Sequence, residues 1–508
     1  MIKNDVNLKE AFTSAYQNHT QNKLEKAEEL YRKVLKFNPK HIQSIFLLGS
    51  LLIQKKNFNP AVKFLKKAID LNPNFADAFH NLGFAYIEMG EIEEGIKFFN
   101  KTIEINPKHQ DVYYNLGNAM KQMGELKKSK ECYLKSIQIQ PKSNAYNNLG
   151  NIYKQLGEFK EAIDSYNKAI KISANNSNPY FNLGNTYKRL GNIDDSTINF
   201  KCAIKINPDY YDARNNLAIV LREQKQLYES LIEYEYLIKL KPDAELVPGY
   251  ILQIKKDLCI WDESENELNR IIKKINQKQN VCGPFSMLGF TDNPLLHKKV
   301  GEIFSDSISK NLGNFNKVTT NPKNKKIRIG YFSADFHNHA TMHLMAELFE
   351  LHNKNLFEIF AFSFGPNKQD DSRRRARLAF NEFFDVELNT DYEIALLARD
   401  QKIDIAIDLK GYTQDCRPKI FVIGCAPIQI NYLGYPGTMG ASFMDYIVAD
   451  KTLISQKHEQ NYTEKIVYMP YSYQVNISNL SFSKSLFSRG DLNLPSEGFV
   501  FCCFNSIY

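Results

Sequence analysis

What this 508-residue chain has little of already narrows its class. It has one tryptophan and eight cysteines, and no two cysteines stand in a Cys-x-x-Cys spacing. That is too sparse for a disulfide framework, so reduced thiols in a reducing compartment are expected. No apolar run approaches the roughly 18 residues a membrane span requires. The best, residues 420–430, is broken by Gly424 and Pro427. The first ten residues, Met1-Ile-Lys-Asn-Asp-Val-Asn-Leu-Lys-Glu10, hold no apolar core of the kind a signal peptide needs. The formal net charge is +8, with no block of five or six basic residues. That excess reads as solvated helix faces, not as a nucleic-acid footprint. A cytoplasmic protein without nucleic-acid or membrane partners is the expectation. The balance of 43% apolar and 24% charged residues is ordinary for globular chains, and the length suits about two to four domains.

The first half is periodic. Prolines recur at Pro39, Pro73, Pro107 and Pro141, then at Pro208 and Pro242, each 34 residues after the last except across 141–208. One repeat has lost its proline near Ala174. Small residues keep the same beat: Ala15, Gly49, Gly83, Gly117, Gly150, Gly184 and Ala218. A second small series follows at Ala27, Ala61, Gly95, Ser129, Ala162, Ser196 and Ser230. Large residues recur at Tyr31, Leu65, Phe99, Tyr133, Tyr166, Phe200 and Tyr234. The period predicts antiparallel helix pairs. The first small column lets the two helices approach, the second lets the next unit stack, and the proline ends the second helix. About seven tetratricopeptide-like units run from roughly residue 8 to 244.

One column is not explained by packing. Asn81, Asn115, Asn148, Asn182 and Asn216 stand two residues before the first small position. Each amide offers a donor and an acceptor, so a row of them suits the backbone of an extended peptide. Local hydrogen bonding or solvent-facing placement competes with that reading. Thr13 and Leu47 break the row at its start.

The period stops near residue 245. Residues 249–275 read as helix, followed by Pro284-Phe-Ser-Met-Leu288 and a helix over 295–312. From residue 325 the rhythm is strand, helix, strand. Strands are predicted at 327–333, 357–364, 403–409, 427–433, 445–449 and 465–469, and helices at 342–351, 372–382 and 392–401. Such alternation predicts a parallel, doubly wound sheet. The densest polar stretch is Ser333-Ala-Asp-Phe-His-Asn-His-Ala-Thr-Met-His-Leu-Met345, which falls where the first strand hands over to a helix. Ligands meet such sheets at the carboxyl ends of the strands. Lys410-Gly-Tyr-Thr413 and Leu433-Gly-Tyr-Pro-Gly-Thr-Met-Gly440 follow later strands and face the same end. The spacing of His337, His339 and His343 offers imidazoles to a metal, but no fourth ligand is in view.

These motifs, with Ala426-Pro-Ile-Gln429 and Met444-Asp-Tyr446, resemble the protein O-linked N-acetylglucosamine transferases and the related SPINDLY proteins. The resemblance implies an α-solenoid of tetratricopeptide repeats followed by an α/β Rossmann-like lobe, the first half of a GT-B glycosyltransferase. It implies repeats over 1–244, a helical cap and linker over 245–322, the N-terminal catalytic lobe over 323–490, and the first strand of a second lobe over 491–508. It implies transfer of a sugar from a nucleotide donor to Ser or Thr of proteins, with no metal and no cofactor. UDP-N-acetylglucosamine is the common donor; the SPINDLY branch uses GDP-fucose. Asp335, Asn338, His339 and Thr341 match residues lining the cleft, with His339 and Asp335 as catalytic candidates. Tyr412, Leu433, Gly434, Tyr435 and Pro436 match substrate-contacting loops, and the asparagine column matches a peptide-holding ladder. Two departures accompany these matches. Animal members carry a histidine before Ser-Met-Leu, where this chain has Phe285. The family pattern also continues beyond Tyr508 with a lysine that touches the diphosphate, then a nucleotide-holding lobe. A second polypeptide supplying that lobe is one expectation, and a non-catalytic protein-binding scaffold is the alternative.

Overall fold

A computed structural model describes residues 2–310, 312–313, 315, 318–319, 324–478 and 487–498. The described residues divide into two compact units, one up to Val220 and one from Leu221. The strand expected within 491–508 lies largely outside the described residues.

The first unit is a run of antiparallel helix pairs. They are α1 (Ile2–Thr20) with α2 (Leu24–Phe37), α3 (Ile42–Gln54) with α4 (Phe58–Leu71), and α5 (Ala76–Glu88) with α6 (Ile92–Ile105). Next come α7 (Val112–Gln122) with α8 (Leu126–Ile139), α9 (Ser143–Gln155) with α10 (Phe159–Ile172), and α11 (Ser177–Arg189) with α12 (Ile193–Ile206). The division falls inside α13 (Tyr211–Glu223).

The columns read from the sequence have direct steric causes. A Cβ on Gly150 would lie 2.6 Å from the Tyr166 ring, and on Gly117 it would lie 2.9 Å from the Tyr133 ring. The first small column and the large column are therefore two sides of one contact. The second small column does something other than predicted. Ser129 Oγ donates to Gly117 O at 2.7 Å, and a Cβ on Gly95 would meet Gly83 O at 2.7 Å. Both contacts lie within one helix pair, so this column closes the same unit instead of stacking the next. The repeat without a proline still ends its helix at Ile172. Ser173 leaves helical geometry with φ −145°, as Asn106 and Asn207 do in neighbouring repeats. A proline in the next position excludes helix continuation but is not needed to end it.

The second unit opens with α14 (Leu227–Leu240), α15 (Val247–Asp257), α16 (Ser264–Asn276), α17 (Pro284–Leu288) and α18 (Pro294–Ser309). Leu252, Ile271, Ile275, Met287, Leu296 and Val300 form the shared core of the last four. The single helix expected over 249–275 is two helices, because the chain turns between them through left-handed Cys259 and Glu263.

A seven-stranded parallel sheet follows. Its elements are β1 (Ile327–Ser333), α19 (Ala340–Leu351), β2 (Phe357–Ser363), α20 (Asp371–Ala379), β3 (Glu382–Asp385), α21 (Asp391–Asp400) and β4 (Ile405–Asp408). Then come α22 (Lys419–Ile423), β5 (Ile428–Asn431), β6 (Tyr446–Ala449), a 3-10 turn at Gln456–Asn461, and β7 (Lys465–Tyr468). The order β3-β2-β1-β4-β5-β6-β7 is doubly wound and Rossmann-like, with β1 flanked by β2 and β4. Apolar residues of β1 alternate between two cores, as a sheet covered on both faces requires. Phe332 packs with Phe362, Ile394 and Phe421 on one side, and Tyr331 packs with Met345, Phe349 and Phe380 on the other. The helix predicted over 372–382 ends at Ala379, and Glu382 begins an edge strand that the sequence reading missed.

Candidate active site at the point where strand order reverses

In a doubly wound sheet the loops after the two strands that diverge from the middle leave a crevice at their carboxyl ends. Here those strands are β1 and β4. The loop after β1 carries Ala334 to His339, and the loop after β4 carries Leu409 to Thr413. Gly434, after β5, joins them. A Cβ there would collide with the Leu409 carbonyl and stand 3.4 Å from Lys410 Cα, so only a glycine permits this approach. Leu433 just before it holds a left-handed φ of 71°.

The centre of the site is an ion pair. Lys410 Nζ lies 2.8 Å from Asp335 Oδ2, and both residues are 6% exposed. Burying the two charges together avoids leaving either uncompensated. Asp335 Oδ2 also takes the Thr341 hydroxyl at 3.3 Å, and the Asp335 amide donates to Ser333 Oγ at 3.0 Å. Two residues before Lys410, at the end of β4, Asp408 is buried, with its Oδ1 taking the Lys410 amide at 2.9 Å. Burial pushes its carboxyl up to about 7, against the amides of Lys410 and Gly411 and the charge of Lys410.

His339 is the N-cap of α19. Its Nδ1 takes the Thr341 amide at 3.2 Å, lies 3.1 Å from Thr341 Oγ1, and stands 3.6 Å from Asp335 Oδ2. Partial burial lowers its pKa below the ordinary imidazole value; Asp335 opposes this, and Lys410 adds to it. The ring is therefore neutral at pH 7. An Nδ1 that accepts an amide hydrogen leaves the ring hydrogen on Nε2. In this arrangement the outer nitrogen donates. Accepting a proton there requires the hydrogen to sit on Nδ1, facing Asp335.

The structure brings Asp335, His339 and Thr341 together, with Asn338 beside them. Asn338 Oδ1 is 2.9 Å from His343 Nε2, and its amide donates to Asp370 at 2.8 Å. The other matched residues are placed differently. Tyr412 and Tyr435 are buried against each other at 5.5 Å between ring centroids, so they support the loops from behind. Gly434 is exposed, while Leu433 and Pro436 are half-buried. Phe285 is exposed, in α17. His337 is buried, with Nδ1 3.3 Å from Asn338 O. Among the described residues no group of three His, Cys, Asp or Glu side chains is arranged to hold a metal ion.

Two contributions were not foreseen in the sequence. Lys410 opens a loop read as facing the site, but its pairing with Asp335, 75 residues away, is beyond the reach of any local pattern. Arg373, inside Arg373-Arg-Arg375, reads as surface but is 1% exposed. It pairs with Asp385, and its Nη1 lies 3.3 Å from both Phe336 O and Ser363 Oγ, which ties the β1 loop to β2. The one available signal was its place three residues after Asp370, a helix N-cap.

In the array every asparagine of the column is half-buried and donates to the preceding repeat. Asn81 donates to Ser50 Oγ at 2.8 Å and Asn115 faces His80 Nε2 at 2.8 Å. Asn148 donates to Asn118 Oδ1 at 3.1 Å, Asn182 to Asn147 Oδ1 at 2.9 Å, and Asn216 to Asn185 Oδ1 at 2.7 Å. The amides thus tie repeat to repeat, whatever else they hold.

Residues 306–484 match the model of glycosyl transferase family 41, and tetratricopeptide repeat models match 85–124, 110–143, 150–191 and 177–210. Residues 306–484 are similar to family 41 glycosyltransferases. The segment contains the whole of the ion-paired site. A relative from Arabidopsis thaliana, the probable UDP-N-acetylglucosamine--peptide N-acetylglucosaminyltransferase SEC, is 30% identical over 278 residues, 51% of this chain and 28% of that protein. The UDP-N-acetylglucosamine--peptide N-acetylglucosaminyltransferase of Caenorhabditis elegans is 35% identical over 150 residues, 29% of this chain and 13% of that protein. The chain thus spans under a third of the length of these relatives. A solved Thermobaculum terrenum O-GlcNAc transferase mutant aligns with 65% of this chain and 58% of its own, at 20% identity and a TM-score of 0.46. Among the described residues no helix is long and apolar enough to cross a membrane.

Proposed function

We propose that this chain forms the acceptor-holding part of a protein O-linked N-acetylglucosaminyltransferase. The observation that carries the reading is the buried Asp335–Lys410 pair, with His339 beside it, where strand order reverses in a segment that matches the family 41 model. The repeats present an extended polypeptide, and the lobe presents His339, Asn338 and the Leu433–Pro436 loop to its Ser or Thr. The nucleotide sugar, UDP-N-acetylglucosamine by family resemblance, is a substrate, held by a second lobe from a longer chain or a second polypeptide. No cofactor or metal enters the proposal.

The chemistry needs three things. The acceptor hydroxyl must lose its proton as its oxygen bonds to the anomeric carbon. The bond from that carbon to the diphosphate must break, and the departing charge must be met by donors. His339 Nε2 is the nitrogen available to either proton task, and its tautomer decides which. Asp335 orients the ring while Lys410 balances its charge. Asp335 is thereby a positioning residue more than a free base.

Radiolabelled UDP-N-acetylglucosamine, offered with Ser/Thr peptides to the chain captured from its own cells with whatever binds it, tests the reading. Label should enter peptide, and His339→Ala should abolish the transfer. Absence of both transfer and UDP binding in the captured assembly would discard the enzyme reading. The second reading, a protein-binding scaffold, is favoured by the array itself, which matches tetratricopeptide repeat models and offers stacked helix pairs with an extended surface. It predicts peptide capture with no label transfer.

A further inference from the structure

The turn between Asp335 and the His339 ring is short, Phe336-His337-Asn338. Its two ends are fixed from different elements. Asp335 is held by Lys410 after β4, and His339 is the N-cap of α19. The turn itself is held from a third element. Asn338 donates its amide to Asp370 Oδ2 at 2.8 Å, and Phe336 O lies 3.3 Å from Arg373 Nη1. Both partners stand at the start of α20, Asp370 as its N-cap and Arg373 in its first turn.

Asp370 makes two bonds with two oxygens. Its Oδ1 takes the Arg373 amide at 2.9 Å, which closes the first turn of α20. Its Oδ2 reaches 32 residues back to Asn338. A helix start needs only the first of these. Thr390 caps α21 with one hydroxyl oxygen, and Asn293 caps α18 with one amide oxygen. An asparagine at 370 would serve α20 as well, because its carbonyl oxygen would accept the Arg373 amide. It would then turn an NH2 group toward the Asn338 N–H, donor against donor. A carboxylate offers an acceptor oxygen to each. What the aspartate adds over an ordinary cap is therefore directed at the turn.

Asn338 immediately precedes His339, so its bonded amide fixes the backbone from which the imidazole departs. Asn338 Oδ1 is also 2.9 Å from His343 Nε2, which carries the constraint into α19. The base that imposes it is firm. Arg373 is buried, pairs with Asp385 at the end of β3, and reaches Ser363 Oγ at the end of β2 at 3.3 Å. The start of α20 is thus tied to two strand ends before it holds the turn.

We propose, on the transfer reading above, that Asp370 is a positioning residue: through Asn338 it sets where His339 stands relative to the acceptor hydroxyl. It acts through the backbone and touches no reacting atom. Misplacing a reacting group by about 1 Å costs up to about a hundredfold in rate. Loss of the Oδ2 bond should therefore lower turnover while acceptor binding stays as it was.

The test uses the captured assembly, with kcat and the acceptor-peptide KM measured for each variant. Asp370→Asn and Asp370→Ser both keep a cap on α20. Each should lower kcat about tenfold or more and leave KM within about twofold. Thr390→Ala removes the cap of a different helix; it should lower the melting temperature and leave kcat unchanged. Hydrogen exchange read by mass spectrometry should quicken over residues 334–341 in Asp370→Asn and match the parent over 371–379. Parental kcat in Asp370→Asn overturns the positioning role and leaves the transfer reading standing. An equal kcat loss in Thr390→Ala also overturns it, as general destabilisation, and so does faster exchange across α20. If the parent assembly transfers no label, both readings fall.

Discussion

The array and the lobe satisfy buried polar groups in opposite ways. In the array each asparagine bonds to the preceding repeat, so polar pairs recur about 30 to 35 residues apart and no single one is special. In the lobe the polar groups converge once. Asp335, Thr341, His339, Lys410 and Asp408 gather at two strand ends with no second copy. A distributed arrangement tolerates loss of one member, because each removes one modest bond. A convergent one does not, because removing one charge strands another in low dielectric. The comparison predicts unequal sensitivities.

The largest effect is expected at Lys410. Lys410→Met leaves Asp335 buried without its partner, a change that costs about 3–5 kcal/mol. Circular dichroism in a urea titration, read at the transition of the second unit, should show the midpoint fall sharply. Adding Asp335→Asn should restore most of the loss. If the single variant unfolds like the parent, the pair is not a structural centre, and the contrast with the array fails.

The next prediction depends on pH. The Asp408 carboxyl, raised to about 7 by burial, is held protonated in the folded lobe across a range where the unfolded chain ionises it. A raised acid contributes stability at low pH and loses it as pH climbs from its unfolded value near 3.9 through about 7. Asp408→Asn should therefore stabilise the lobe at pH 8, on the order of 2–4 kcal/mol, and change little near pH 4. Equal effects at both pH values would place the carboxyl in an ordinary environment.

This contrast also governs what could be read from the chain. The array announces itself because one contact, Gly150 against Tyr166, is written again as Gly117 against Tyr133 and Gly184 against Phe200. Repetition converts a tertiary contact into a sequence period. The lobe's strands were legible from apolar runs, yet β3 was not. It is four residues long at the sheet edge, separated from α20 by only Phe380 and Asn381. The polar knot after β1 was visible as composition and Lys410 as the start of a loop, whereas their pairing was not, since β1 and β4 meet only through the topology. Arg373 was hidden for a related reason. A run of three arginines looks solvated until the fold turns one inward.

A smaller effect belongs to the steric column. In an ordinary helix interior Gly→Ala gains about 0.5–1 kcal/mol. Gly150→Ala should instead destabilise the array by about 1–3 kcal/mol, since the added carbon would stand 2.6 Å from a Tyr166 ring that Asn151 Oδ1 holds at 2.8 Å. On a Tyr166→Ala background the same change should become neutral or favourable. The far-ultraviolet melting transition measures both. Additivity of the two changes would mean that the columns are not one contact.

The smallest effect is the most discriminating. Asn182→Ala removes a 2.9 Å bond to Asn147 and should lower stability by about 1 kcal/mol, as one bond among several equivalents does. If the column serves only to join repeats, the variant melts earlier but binds peptide as the parent does. If the amide carbonyls also hold peptide backbone, affinity should drop several-fold, and peptides of any side-chain composition should lose alike. A ladder that reads backbone sets no sequence, and discrimination among peptides then falls to other side chains.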